Sequence, residues 1–182
     1  MDKRILVIGG KGKTGRRVVD RLVDAKIDVA VGTRTPTDAN DRFFDWSDPT
    51  SVSAAADCSA VYLVAPTDRT DHLEVMRPVL ERAVEGGTRR FVLLSSSLLE
   101  RGDPMMGGVH AWLTENAPEW AVLRPSWFMQ NFSDGPHART IREEDTIYSA
   151  TGDARIGFID ANDIAAAAFA CLTAPDPLND DR

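Results

Sequence analysis

Ile5-Leu6-Val7-Ile8-Gly9-Gly10-Lys11-Gly12-Lys13-Thr14-Gly15-Arg16-Arg17-Val18-Val19 sets an apolar strand against a glycine-rich turn and then an amphipathic helix. A phosphate can rest against bare backbone N–H groups at a helix N-terminus, where the dipole favours an anion and a side chain would block approach. The stretch therefore reads as a site for a dinucleotide pyrophosphate. Gly10, Gly12 and Gly15 fit G-x-G-x-x-G, and Gly9, Gly12 and Gly15 fit G-x-x-G-x-x-G equally well. Val18, Val19, Leu22 and Val23 fall on one helix face, and Arg16, Arg17, Asp20, Arg21 and Asp24 on the other. Gly12-Lys13-Thr14 copies the end of a Walker A loop, but the first glycine of that motif would fall on Val7, inside the strand.

Working outward, strand and helix alternate. Asp28 to Thr33 and Arg42 to Asp45 read as a second and a short third strand, and Asp48-Pro49 starts a small helix through Ala56. Ser59 to Val64 is a fourth strand. A helix follows near Thr70 to Glu85, with Pro78 marking a kink or a late start and Gly86-Gly87 the end. Arg90 to Leu94 is an apolar run suited to a parallel strand covered on both faces. A helix over Met106 to Asn116, a strand over Trp120 to Leu123 and a further helix from about Trp127 complete a second half. Thr146 to Ser149 and Arg155 to Ile159 read as extended segments, and Asp160 to Thr173 as an alanine-rich helix. Such units, connected right-handedly, give an α/β doubly wound parallel sheet of the Rossmann type over residues 1–174, with 175–182 as a solvated tail.

At 182 residues and 43% apolar content, one domain is expected. A net charge of −7 with interspersed basic residues gives no footprint for a nucleic-acid partner. No stretch approaches the roughly 18 apolar residues of a membrane span, and Met1 to Arg4 lead straight into a strand without a signal-peptide pattern, so a cytoplasmic protein is expected. Cys58 and Cys171 lack metal-ligand spacing and read as reduced core residues. His72, His110 and His137 form no zinc motif, and no metal is expected.

Ligands of such sheets bind outside the carboxyl ends of the strands. About 20 positions past the glycine loop, an acid would bond an NAD ribose and an arginine would accommodate an NADP phosphate. Thr33-Arg34 stands there, which favours NADP(H) with NAD(H) possible. Lys13 and Thr14 lie in the loop itself, with Lys13 placed to add positive charge near the phosphates. Asp45, after the third strand, is a candidate acceptor for the adenine amino group, or else a turn residue. Val64-Ala65-Pro66 is small and apolar, suited to backbone passing under the adenosine, or else a tight loop.

Ser95 and Ser96, after the apolar strand, are candidates to polarise a carbonyl. The tyrosine that supplies the proton in short-chain dehydrogenases, one helical turn before a lysine, is missing: neither Tyr62 nor Tyr148 has a lysine at that spacing. His110 is the candidate proton donor in its place, or else a surface residue. Pro125 halts the next strand, which is expected to leave its carbonyl free and to turn Ser126 toward the nicotinamide. Trp127, Phe128 and Met129 could build a flat apolar pocket, or could pack on the sheet.

With these motifs in order, the chain resembles the NmrA-like atypical short-chain dehydrogenases, in the branch of the ergot-alkaloid-type dehydrogenases. The resemblance runs from Ile5 to about Thr173 and rests on Gly9 to Arg17, Leu123 to Phe132, and Ile147 to Asp153 leading to Phe158 to Ala165. It implies a Rossmann fold holding NAD(P)(H) on Gly9 to Gly15 and Arg34, with Ser95, His110 and the segment from Pro125 at the reactive end. It also implies a reductase of quinones, imines or conjugated rings that works without the usual tyrosine, or alternatively a regulator that binds the dinucleotide without turnover. Members of the family usually continue well past this length, with helices that close the substrate pocket. An open substrate side is therefore expected, covered by a second copy or another protein.

Overall fold

The computed structural model describes residues 4–176 and 178–181. Its strands are β1 (Ile5–Ile8), β2 (Val29–Thr33), β3 (Asp41–Phe43), β4 (Ala60–Val64), β5 (Arg90–Leu94), β6 (Glu119–Leu123), β7 (Trp127–Phe128), β8 (Phe158–Ile159) and β9 (Asp180–Asp181). Its helices are α1 (Gly15–Asp24), α2 (His72–Glu85), α3 (Met106–Asn116), α4 (Ala138–Glu144) and α5 (Ala161–Thr173). Among the described residues one parallel sheet runs in the order β3-β2-β1-β4-β5-β6-β9, and β7 pairs with β8 apart from it. This is the doubly wound Rossmann fold that the strand and helix alternation predicts.

The continuous apolar strands follow from burial on both faces. Leu6, Ile8, Val61, Leu63, Phe91 and Leu93 pack on one side against Met76, Leu80, Val109 and Leu113 of α2 and α3. Ile5, Val7, Val29, Ala60, Tyr62 and Val92 pack on the other against Val18 and Leu22 of α1 and Ile164, Ala165 and Ala168 of α5. The period-two alternation of a strand thus assigns each residue to one helical layer. Arg90, at the start of β5, fastens the end of α5. Its guanidinium donates to the carbonyls of Cys171, Leu172 and Ala174 and pairs with Glu119 at 2.7 Å, meeting carbonyls that have no intrahelical partner.

Several local expectations change. Residues 127–131 form β7 and a short 3-10 turn, and the next helix waits until Ala138, so no helix starts at Trp127. The reason is pairing: Trp127 and Phe128 align with Phe158 and Ile159, and a helix would break that ladder. Residues 146–149 form no strand, and the small helix is a 3-10 turn over Pro49–Ser53. Pro78 sits inside α2, which starts at His72 and runs through it. Within the expected solvated tail, Asp180 and Asp181 pair with Ala121 and Val122 as β9. Met1 to Lys3, Pro177 and Arg182 lie outside the described residues.

One buried side chain joins the two later motifs. Gln130 donates from Nε2 to Asp160 Oδ2 (2.9 Å), and its Oε1 accepts from Ala161 N (2.9 Å). Asp160 also caps α5 by accepting from Asn162 N (2.7 Å). Arg17 of α1 completes the chain, donating to Asn162 Oδ1 (2.9 Å) and to Lys13 O in the glycine turn (2.7 Å). Replacing Gln130 with Leu strands the buried Ala161 N–H and is expected to cost about 1–3 kcal/mol. Urea denaturation checks this, and an unchanged midpoint at constant slope would show that the bridge contributes nothing.

Candidate active site

The glycine turn is decided by backbone approach. Gly9 has φ +68°, and a Cβ on Gly15 would lie 2.2 Å from Gly9 O, where no side chain fits. Gly12 N donates to Gly9 O at 2.8 Å. A Cβ on Gly10 would fall 2.6 Å from Val31, and one on Gly15 2.9 Å from Gly10 Cα, so the close approaches involve the glycines of both spacings, G-x-x-G-x-x-G and G-x-G-x-x-G. The helical ladder begins with Arg16 N donating to Gly12 O (3.1 Å), so the amides of Lys13, Thr14 and Gly15 precede the first intrahelical donor. Bare donors at the positive end of a helix dipole, in a turn where a Cβ would clash, fit a diphosphate.

From this turn a cleft of about 950 Å³ runs along the carboxyl ends of the strands. Its walls include Lys13 and Thr14, Thr33 and Arg34 after β2, Asp45 and Trp46 after β3, and Val64, Ala65 and Pro66 after β4. Trp46 is fixed there: Nε1 donates to Val64 O (3.0 Å), and its ring meets Phe44 edge-on at 4.7 Å. A second pocket of about 310 Å³ is lined by Ser96, Ser97, Leu98, Ser126, Trp127, Phe128 and Asn131. Phe128 and Asn131 line both, so the pocket adjoins the cleft at the end opposite Arg34 and Trp46.

The charged groups have definite partners. Lys11 pairs with Asp41 at 2.7 Å, and Asp41 also accepts from the amides of Thr37 (2.7 Å) and Asp38 (3.0 Å). The Lys11 hydrogen bond, then the Thr37 amide, hold the Asp41 carboxyl at about 2, while Asp41 raises the Lys11 ammonium. This clip shapes the loop between β2 and β3 that follows Arg34. Asp45 is held below the usual carboxylate range, first by the Ser47 hydroxyl and amide and to a lesser degree by the charge of Arg34. Lys13 lies 3.7 Å from Asp134.

Residues 9–175 match a family model described as NAD(P)H-binding. The chain belongs to this NAD(P)H-binding family. Among its relatives, agroclavine dehydrogenase of Claviceps fusiformis is 42% identical over 194 residues, covering 98% of this chain and 66% of the relative. Festuclavine synthase I of Penicillium roqueforti (strain FM164) is 39% identical over 183 residues, covering 93% and 63%. The chain thus spans under two thirds of the length of these two curated relatives. An NADPH-dependent quinone oxidoreductase of Escherichia coli, solved with NADPH, superposes with a TM-score of 0.79 at 18% identity, over 98% of this chain and 68% of that one, a likeness of fold. The resemblance to the ergot-alkaloid-type dehydrogenases is borne out by these relatives.

In this NAD(P)H-binding chain the cleft brings together Gly9, Gly12, Lys13, Thr14, Thr33, Arg34, Asp45, Val64, Ala65 and Pro66, while Ser96, Ser126, Trp127 and Phe128 gather in the adjoining pocket. Gly15 acts from below, by contact with Gly9. Ser95 is buried, with its amide on Leu123 O (2.8 Å), and the exposed Met129 lines neither cavity. Pro125 does not leave its carbonyl free: Ser97 N donates to it at 3.0 Å, extending the β5 and β6 pairing by two residues. His110 is not in either cavity. It is buried in α3 with its ring 5.6 Å from Trp120, near the amino end of β6. The helix after β5 runs back along the sheet, and at 1.5 Å per residue His110 stands about 6 Å below Met106.

Trp46, Asn131 and the Lys11 clip escaped the sequence reading. Trp46 could have been found, because it follows a strand at the ligand edge, whereas Asn131 and Asp41 depend on contacts between distant segments.

Two expectations follow from this geometry. Gly15→Ala should weaken dinucleotide binding more than tenfold, roughly 1.4 kcal/mol or more, in a fluorescence titration, because the turn must open to admit the methyl group. The Asp41 clip should contribute stability above pH 3.8 that is lost as the pH falls through about 2. Asp41→Asn should therefore lower stability at pH 7 and bring no difference below pH 2, and equal deficits at both would refute the assignment.

Proposed function

We propose that the chain is a reductase that prefers NADP(H) and acts on a small, planar, apolar substrate such as a quinone, an imine or a conjugated ring compound. The observation that carries this reading is the adjoining of the two cavities through Phe128 and Asn131. A dinucleotide laid from Arg34 and Trp46 across the glycine turn would present its far end to the smaller pocket. When bound, a reduced nicotinamide supplies hydride chemistry there.

The residues of the pocket would do the rest. Trp127 and Phe128 offer a flat apolar wall that orients a planar ring and excludes water from one face. The Ser96 and Ser126 hydroxyls can donate to a substrate oxygen or nitrogen as it gains charge. With His110 buried away from the pocket, these hydroxyls or water stand as the proton source. The exposed Leu98 and Trp127 at the rim are the surface that a partner subunit or another protein would cover. The names of the relatives, an agroclavine dehydrogenase and a festuclavine synthase, support substrates of this kind.

Arg34 supports the preference for the phosphorylated dinucleotide. It is exposed at the cleft wall after β2 and beside Asp45, and the nearby carboxylates Asp38 and Asp41 are engaged by Lys11. Arg34→Ala should weaken NADPH binding roughly 10- to 100-fold, the range of a charge-assisted contact, and leave NADH nearly unchanged. Equal losses would refute its role. For turnover, NADPH absorbance should fall on adding quinones or cyclic iminium compounds. Tight binding without turnover across such a panel would overturn the reductase reading and leave a dinucleotide-binding sensor.

A further inference from the structure

The tyrosine of β4 does not serve as a proton donor to substrate, since it is wholly buried, yet its hydroxyl reaches the dinucleotide turn from below. Tyr62 has no exposed surface, and its OH donates to Thr14 Oγ1 at 3.2 Å. Burial pushes the phenol up to about 12, so it is a neutral donor throughout the working range.

Thr14 occupies the N-cap position of α1, where a threonine oxygen ordinarily turns inward and accepts from an amide of the first helical turn. Here its backbone is already helical (φ −89°, ψ −42°), and it makes no such cap bond. Its oxygen accepts from Tyr62 instead, while the residue itself lines the cleft. A hydroxyl carries one proton. With Tyr62 donating to this oxygen, the Thr14 proton itself remains to be donated.

We propose that Tyr62 is a positioning residue for the diphosphate: its hydroxyl donates to Thr14 Oγ1, fixes that hydroxyl at the cleft and leaves the Thr14 proton for a phosphate oxygen. The inference rests on the dinucleotide reading of the cleft. It assigns to a core tyrosine a role that its burial would otherwise leave as packing. The relay acts only on the phosphates, so it affects the diphosphate part of the ligand and not the adenosine end.

The test titrates NADPH and adenosine 2′-monophosphate, which lacks the diphosphate, into the wild-type chain and the variants Tyr62→Phe, Thr14→Val, Thr14→Ser and the Tyr62→Phe, Thr14→Val double. Tyr62→Phe keeps the ring that fills the core and should weaken NADPH roughly threefold to tenfold, the worth of one neutral hydrogen bond, with adenosine 2′-monophosphate unchanged. Thr14→Ser keeps the hydroxyl and should bind NADPH as the wild type does. In the Thr14→Val background, Tyr62→Phe should add no further loss. Wild-type NADPH affinity in Tyr62→Phe, equal loss of both ligands, a Thr14→Ser as weak as Thr14→Val, or additive losses in the double variant would each overturn the relay. A wild-type chain that takes neither ligand would instead overturn the dinucleotide reading on which it rests.

Discussion

The structure turns on a contact that admits no side chain: the carbonyl of Gly9 against the first turn of α1. Because Gly15 can approach Gly9 so closely, α1 leaves β1 at once and directs its amino end toward the cleft. Strand, turn and helix then share one geometry, and the helix dipole falls where a diphosphate would lie. A methylene at this point would force α1 outward and carry Val18 and Leu22 away from the layer they share with α5. The demand for bare backbone at the ligand and the demand for packing in the core are therefore met by the same residues.

From this contact a polar line crosses the molecule. Arg17 holds Lys13 O on one side and Asn162 on the other; Asp160 caps α5 and receives Gln130; Gln130 precedes Asn131, which faces both cavities. The three sequence motifs that mark the family are thus the points where one network touches the chain. Their order along the sequence looks arbitrary only until the hydrogen bonds are followed. The turn that would hold the phosphates and the segment that would hold the substrate are braced against the same helix end.

The fold was legible because its signals are local. Apolar runs bounded by turn residues located the strands of the main sheet through β6, and the glycine spacing with its amphipathic helix located the cleft. The cleft wall was legible too, since Arg34, Asp45 and Val64 follow directly from their place at or after the ends of strands. The reactive side was less so. Trp127 and Phe128 form a strand because Phe158 and Ile159 pair with them, a partner no window of sequence contains. His110 looked close to Ser95 along the chain, but helix rise and direction take it toward the other end of the sheet. Asp180 and Asp181 read as solvated by composition and are paired through their backbone, to which composition is blind.

The joining of α1 to α5 also sets an order of events during synthesis. Arg17 and Asn162 are 145 residues apart, so the helix that carries the dinucleotide turn emerges from the ribosome long before the helix that covers its flank. Until α5 arrives, Val18 and Leu22 lack the apolar residues that α5 brings to their layer. The early strands can pair, but the flank of α1 is covered only once α5 has emerged. A ligand that binds the finished cleft therefore acts on the docking of α5, drawing that helix into place by mass action, so that cellular dinucleotide supply and the yield of folded chain become linked.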